Sequence, residues 1–232
     1  AVDVTADISP YTYWQSNLAV VYPKRNFDDA DETAFVLEHV AGAGDIIFSS
    51  FPDHPEYRGK TLAEIAAMRG TPHQQTLLAL LAVPGGPHAG IVARGMSDAD
   101  VERLLQWPHA NVCSDGGSRS LHPRGFGSFP RVLGPYVRDK RLFTLEEAVR
   151  KMTSLSADHV GLIGRGRLSP GFIADLVLFD PATVTDRADF GKAQEIAAGI
   201  DTVWVNGEVA FRDGKTTGAL PGRPIRRAAR QP

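Results

Sequence analysis

The stretch Ala110-Asn111-Val112-Cys113-Ser114-Asp115-Gly116-Gly117 is a short, mostly apolar run that meets an acid and two glycines. It reads as a strand over 110–114 running into a chain reversal. In folds that alternate strands with helices, functional side chains gather where a strand's C-terminal end meets the next loop. Glycines there let a ligand approach the backbone closely. Asp115 is thus a candidate catalytic carboxylate, able to ligand a metal, to act as a general base, or to do both in turn. Asp-Gly is also common in turns, so spacing alone leaves a turn-capping role open. Cys113 precedes Asp115 by two residues and would share its side of a strand. A Cys-x-Asp metal pair is conceivable there, although a lone cysteine is more often a small buried apolar residue.

Upstream, strand-like and helix-like segments alternate. Residues 2–8 alternate apolar and polar, Pro10 ends that strand, and Tyr11-Thr12-Tyr13-Trp14 reads as an aromatic-rich loop. A helix is expected over 31–41, a strand over 45–50, and helices over 61–69 and 73–82. Thr61 and Glu64 have the spacing of a capping box. A short strand at 91–93 and a helix capped by Ser97 complete the approach to Asp115. Such alternation points to βα units with a parallel sheet or barrel.

Downstream, 118–130 reads as a long turn-rich loop, followed by a helix from Thr144 to about Met152 and another over 156–160. The character then changes. Residues 173–179 and 202–205 are β runs, and Asn206-Gly207 is a strong two-residue hairpin signal with its return strand at 208–212. A small β module is expected over 162–219, ahead of a basic tail rich in proline and glycine.

Composition narrows the function classes. The 232 residues can hold one large domain or two small ones, and 43% hydrophobic with 22% charged residues is ordinary for a globular protein. A net charge of -2 gives no electrostatic reason to expect nucleic acid or an anionic membrane as partner. No apolar run approaches the roughly 20 residues of a membrane span. One cysteine excludes an internal disulfide and suits a reducing compartment, the cytoplasm. The N-terminus lacks a secretory layout. Its start at Ala1 rather than Met, directly in strand-like sequence, suggests missing upstream sequence.

The loop after Asp115 carries Arg119, His122, Arg124 and Arg131 among glycines and phenylalanines. A guanidinium suits bidentate capture of a carboxylate, and a merely solvated polar loop is the competing reading. His39, His54, His73, His88, His109 and His159 show neither H-x-H nor H-E-x-x-H spacing and read as surface or core residues.

Taken together, Ser114-Asp115-Gly116 and the run from His122 to Gly134 (HPRGFGSFPRVLG) resemble the D-aminoacylase, or N-acyl-D-amino-acid deacylase, branch of the amidohydrolase superfamily. So do the segment 145–155, Val4-Thr5-Ala6-Asp7 with Pro10-Tyr11-Thr12, and Glu56 to Leu62. Gly171 to Pro181 and Val205-Asn206-Gly207 are similar to amidohydrolases more widely. The His122–Arg131 run argues against a dihydroorotase or hydantoinase relative.

The resemblance implies an α/β fold: the last strands of a (β/α)8 metallohydrolase barrel and an insertion over 1–161, then a β-sandwich portion and basic tail over 162–232. In such enzymes zinc can lower the pKa of bound water from about 15.7 to about 7. The hydroxide attacks an N-acyl-D-amino acid, and an aspartate shuttles the proton. Asp115 matches that aspartate and is also a weaker metal-ligand candidate. Arg124 matches a position resembling an α-carboxylate clamp, and Ser50 is a weaker candidate for the same task. The branch's H-x-H pair, metal-binding cysteine and two further histidines have no counterpart here. The expectation is therefore a C-terminal fragment that neither holds zinc tightly nor deacylates alone. A non-catalytic binding or assembly module is the alternative, with homo-oligomerisation to cover open strand edges.

Overall fold

The computed structural model describes residues 4–117 and 120–225. The strands, in chain order, are β1 (Ala6–Ile8), β2 (Tyr13–Asn17), β3 (Ile46–Ser50), β4 (Gly90–Arg94), β5 (Ala110–Val112), β6 (Leu176–Phe179), β7 (Ile200–Val205), β8 (Glu208–Arg212) and β9 (Lys215–Thr216). The α-helices are α1 (Ala30–Phe35), α2 (Leu62–Arg69), α3 (His73–Ala82), α4 (Asp98–Gln106), α5 (Arg124–Arg131), α6 (Leu145–Met152) and α7 (Ser154–Val160). Among the described residues no helix is long and apolar enough to cross a membrane. The chain forms two compact units: residues 1–10, 99–118 and 123–232 make one, and 11–98 with 119–122 make the other.

In the first unit β1 and β5 pair in parallel, with Asp7 opposite Asn111 and Ile8 opposite Val112. Helices α6 and α7 pack against β5, and Val101, Leu105, Ala110, Val112, Ala148 and Leu155 are buried. Thr144 caps α6 by accepting the Glu147 N–H at 3.2 Å, and Gly161 ends α7 at φ 73°. The loop expected over 118–130 is instead partly helical. Helix α5 begins at Arg124 and continues as a wide π-helical segment, Val132–Asp139. Pro130 and Pro135 lack an N–H and would clash with the carbonyl four residues back. The wider winding relieves that clash, and the Lys140 N–H reaches back five residues to the Pro135 carbonyl at 3.0 Å.

Strands β6 to β9 form an antiparallel sheet in that order. Asn206 and Gly207, at φ 52° and 83°, make the turn between β7 and β8, as a type I′ hairpin requires. Asp175 fastens this turn. Its carboxylate accepts the Asn206 N–H at 2.8 Å and pairs with Arg165, whose guanidinium also donates to Asn206 Oδ1 at 2.7 Å. The Gly171–Pro181 run and the Val205-Asn206-Gly207 turn thus meet at one structural junction.

The second unit is built on an antiparallel sheet, β2-β4-β3. Tyr13 and Trp14, expected in a loop, begin β2, because their backbones pair with Arg94 and Ala93 of β4. Leu18, Tyr22, Phe48, Leu62, Ile65, Leu77 and Ile91 fill its core. The Thr61–Glu64 capping box is present in both directions, at 3.1 and 2.7 Å.

Candidate active site

Strand β5 ends at Val112, short of the expected Ser114. Pairing with β1 persists one residue further, since the Cys113 N–H donates to the Ile8 carbonyl at 3.0 Å. The chain then turns: the Gly116 N–H donates to Ser114 Oγ at 3.3 Å, and Asp115 adopts φ 46°. That left-handed conformation is strained for most side chains but tolerated by Asp. Strand alternation stops before Asp115, so Cys113 and Asp115 do not share a strand face as their spacing suggested.

Arg124, the first residue of α5, lies 2.9 Å from Asp115 through its Nη2 and the carboxylate Oδ2. The arginine side chain is 11% exposed and the aspartate 70%. Protein therefore holds the cation while the carboxylate faces solvent. Cys113 is half-buried beside them, and burial first, then the Asp7 and Asp115 charges, push its thiol pKa up. Asn111, buried in β5, donates to Asp7 at 3.0 Å, and its carbonyl lies 2.8 Å from His159 Nδ1. With the amide nitrogen directed at Asp7, the remaining contact makes His159 Nδ1 the donor.

Other sequence candidates have different surroundings. Ser50 closes β3 in the second unit and is exposed. Arg131 pairs with the nearly buried Asp186 at 2.8 Å, a structural contact. His122 is buried rather than solvated: Nε2 lies 2.8 Å from the Tyr13 carbonyl, and its ring meets Tyr11 edge-on at 5.1 Å. Lys151, which sequence reading missed, is fully buried and donates to the Trp107 and Ala110 carbonyls. Arg119 lies outside the described residues. Among the described residues, no three His, Cys, Asp or Glu side chains come together as a metal site. With no third donor beside Cys113 and Asp115 among the described residues, the donor set present here does not make a metal centre by itself.

The Amidohydrolase family model matches residues 27–211. D-aminoacylase from Alcaligenes xylosoxydans xylosoxydans is 43% identical over 202 residues, which are 86% of this chain and 40% of that protein. N-acyl-D-glutamate deacylase from the same organism is 40% identical over 230 residues, 98% of this chain and 42% of its own length. A solved structure of N-acyl-D-glutamate deacylase from Bordetella Bronchiseptica, complexed with zinc and a phosphonate mimic of the tetrahedral intermediate, aligns with a TM-score of 0.75. It is 38% identical and is matched over 92% of this chain and 41% of that one. The α/β fold is thus that of part of an amidohydrolase, and the chain spans about two fifths of the length of these relatives.

Proposed function

We propose, for a chain that belongs to the amidohydrolase family and its D-aminoacylase branch, that it contributes the acid–base carboxylate and the carboxylate anchor of an N-acyl-D-amino-acid deacylase. The observation that carries this reading is the Asp115–Arg124 pair, with its carboxylate open to solvent and its guanidinium held in protein. Asp115 takes a proton from the attacking water and gives it to the amine nitrogen as the C–N bond breaks, the ordinary work of one carboxylate serving as base and then acid. Arg124 presents a planar fork suited to the substrate's α-carboxylate. Ser50 is a second, weaker candidate for that anchor.

We further propose that residues 1–161 derive from the barrel and its insertion, and 162–232 from the β-sandwich. Metal ligation, where the relatives have it, would come from sequence outside these 232 residues. The isolated chain, located in the cytoplasm, would then not turn over substrate. The test is an assay of the isolated chain with N-acetyl-D-glutamate and zinc. Release of free amine no faster than the blank is expected; robust zinc-dependent deacylation overturns this division.

A second reading, a non-catalytic assembly module, is favoured by one feature of the first unit. A cavity of about 590 Å³ is lined by Phe129, Leu133, Met152, Leu176 and Trp204 among others, beside β6, which stands at a sheet edge with Val177 and Leu178 half exposed. An exposed apolar strand edge invites pairing. Sedimentation showing concentration-dependent association would support this reading, and a well-behaved monomer would count against it.

A further inference from the structure

Neither Gly116 nor Gly125 has a positive φ among the described residues, so their lack of a side chain is not explained by backbone conformation. It is explained by distance. A Cβ on Gly116 would lie 2.2 Å from Gly125 Cα and 2.6 Å from its nitrogen, while a Cβ on Gly125 would lie 2.9 Å from the Gly117 carbonyl oxygen. The loop after β5 and the first turn of α5 therefore touch backbone to backbone, at the residues following Asp115 and Arg124.

We propose that Gly116 and Gly125 are positioning residues that set Asp115 against Arg124, an inference that rests on reading that pair as the working pair of the site. Carbon atoms in contact sit about 3.5–4.0 Å apart, so a methyl on Gly116 forces a displacement of roughly 1 Å or more. The 2.9 Å ion-pair contact would then move beyond hydrogen-bond distance. A methyl on Gly125 meets a carbonyl oxygen at 2.9 Å and needs a smaller shift. The two substitutions should therefore uncouple the pair to different degrees.

The experiment is guanidinium ¹H–¹⁵N spectroscopy of the whole chain, following the Arg124 side-chain resonance in wild type, D115N, G116A, G125A and G44A. Gly44 stands in open space and serves as the control. The expected result is a slowly exchanging Arg124 signal in wild type and G44A, lost in D115N and G116A, and weakened in G125A while the backbone spectrum is retained. Persistence of the full signal in both G116A and G125A overturns the proposal. Should G116A fail to fold, the milder G125A carries the test. Adding N-acetyl-D-glutamate to the wild type separates the two ideas: failure to perturb Arg124 overturns the anchor role, and leaves the glycine result standing on the signal in the variants.

Discussion

Asp115 and Arg124 share one ion pair at 2.9 Å but not one environment, the guanidinium being enclosed and the carboxylate open to water. That asymmetry sets both the chemistry the pair can perform and the small contribution it makes to stability. A solvent-facing carboxylate is screened by water and salt, while an enclosed guanidinium left without its counter-ion is more costly.

A double-mutant cycle of D115N and R124Q, read by urea unfolding, should give a coupling of about 0.5–1 kcal/mol that shrinks as sodium chloride is added. Because Asn tolerates the left-handed region as Asp does, D115N reports on charge rather than backbone. A coupling that does not respond to salt would contradict the exposed placement of the carboxylate.

Tyr22 is fully buried and within 3.0 Å of Thr33 Oγ1, and burial pushes its phenol up to about 12 from the usual 10. The folded form keeps its proton where the unfolded chain has lost it. Stability from this group is therefore present below pH 10 and lost as pH rises towards 12. Two pH units correspond to about 2–3 kcal/mol. In an alkaline titration followed by circular dichroism, Y22F should lack that loss; an unchanged profile sinks the assignment.

Lys151 has the opposite sign. Burial lowers its pKa from the usual 10.5, against the opposing charge of Glu147 at 3.6 Å. The unfolded chain binds the proton more readily, so this group's contribution grows as pH rises towards 10.5 and is lost as pH falls through the lowered value. K151M should flatten the rise of stability over that alkaline window. A steeper rise in K151M than in wild type would show the sign to be wrong.

Asp175 should matter through the hairpin rather than through chemistry. D175A removes the acceptor for the Asn206 N–H and the partner of Arg165, a loss of about 1–2 kcal/mol in thermal unfolding. D175N keeps an acceptor and should lose less. Equal losses in the two variants would assign the effect to charge alone.

Much of this was legible where a local rule acts through neighbours in sequence. Thr61 and Glu64 announce their cap, and Asn206-Gly207 its turn. The helical path from Arg124 to Asp139 was not, because Gly125, Gly127, Pro130, Gly134 and Pro135 all argue against a helix locally. Tertiary packing and a widened winding override them. Tyr13 and Trp14 were hidden for a related reason: only pairing with β4, some eighty residues on, makes them a strand. At the site, spacing placed Asp115 at a strand end but left its role open. Its contact with Arg124 depends on a backbone approach between Gly116 and Gly125 that no periodicity reports.

The most direct measurement replaces the matching two fifths of D-aminoacylase with this chain and compares the hybrid with its D115N variant on N-acetyl-D-amino acids and their L-enantiomers. The predicted result is hydrolysis of the D-substrates, with kcat lowered by about 10²–10⁴ in D115N, the range a lost general acid–base group commands. A hybrid whose kcat is unaffected by D115N would contradict the role assigned to Asp115.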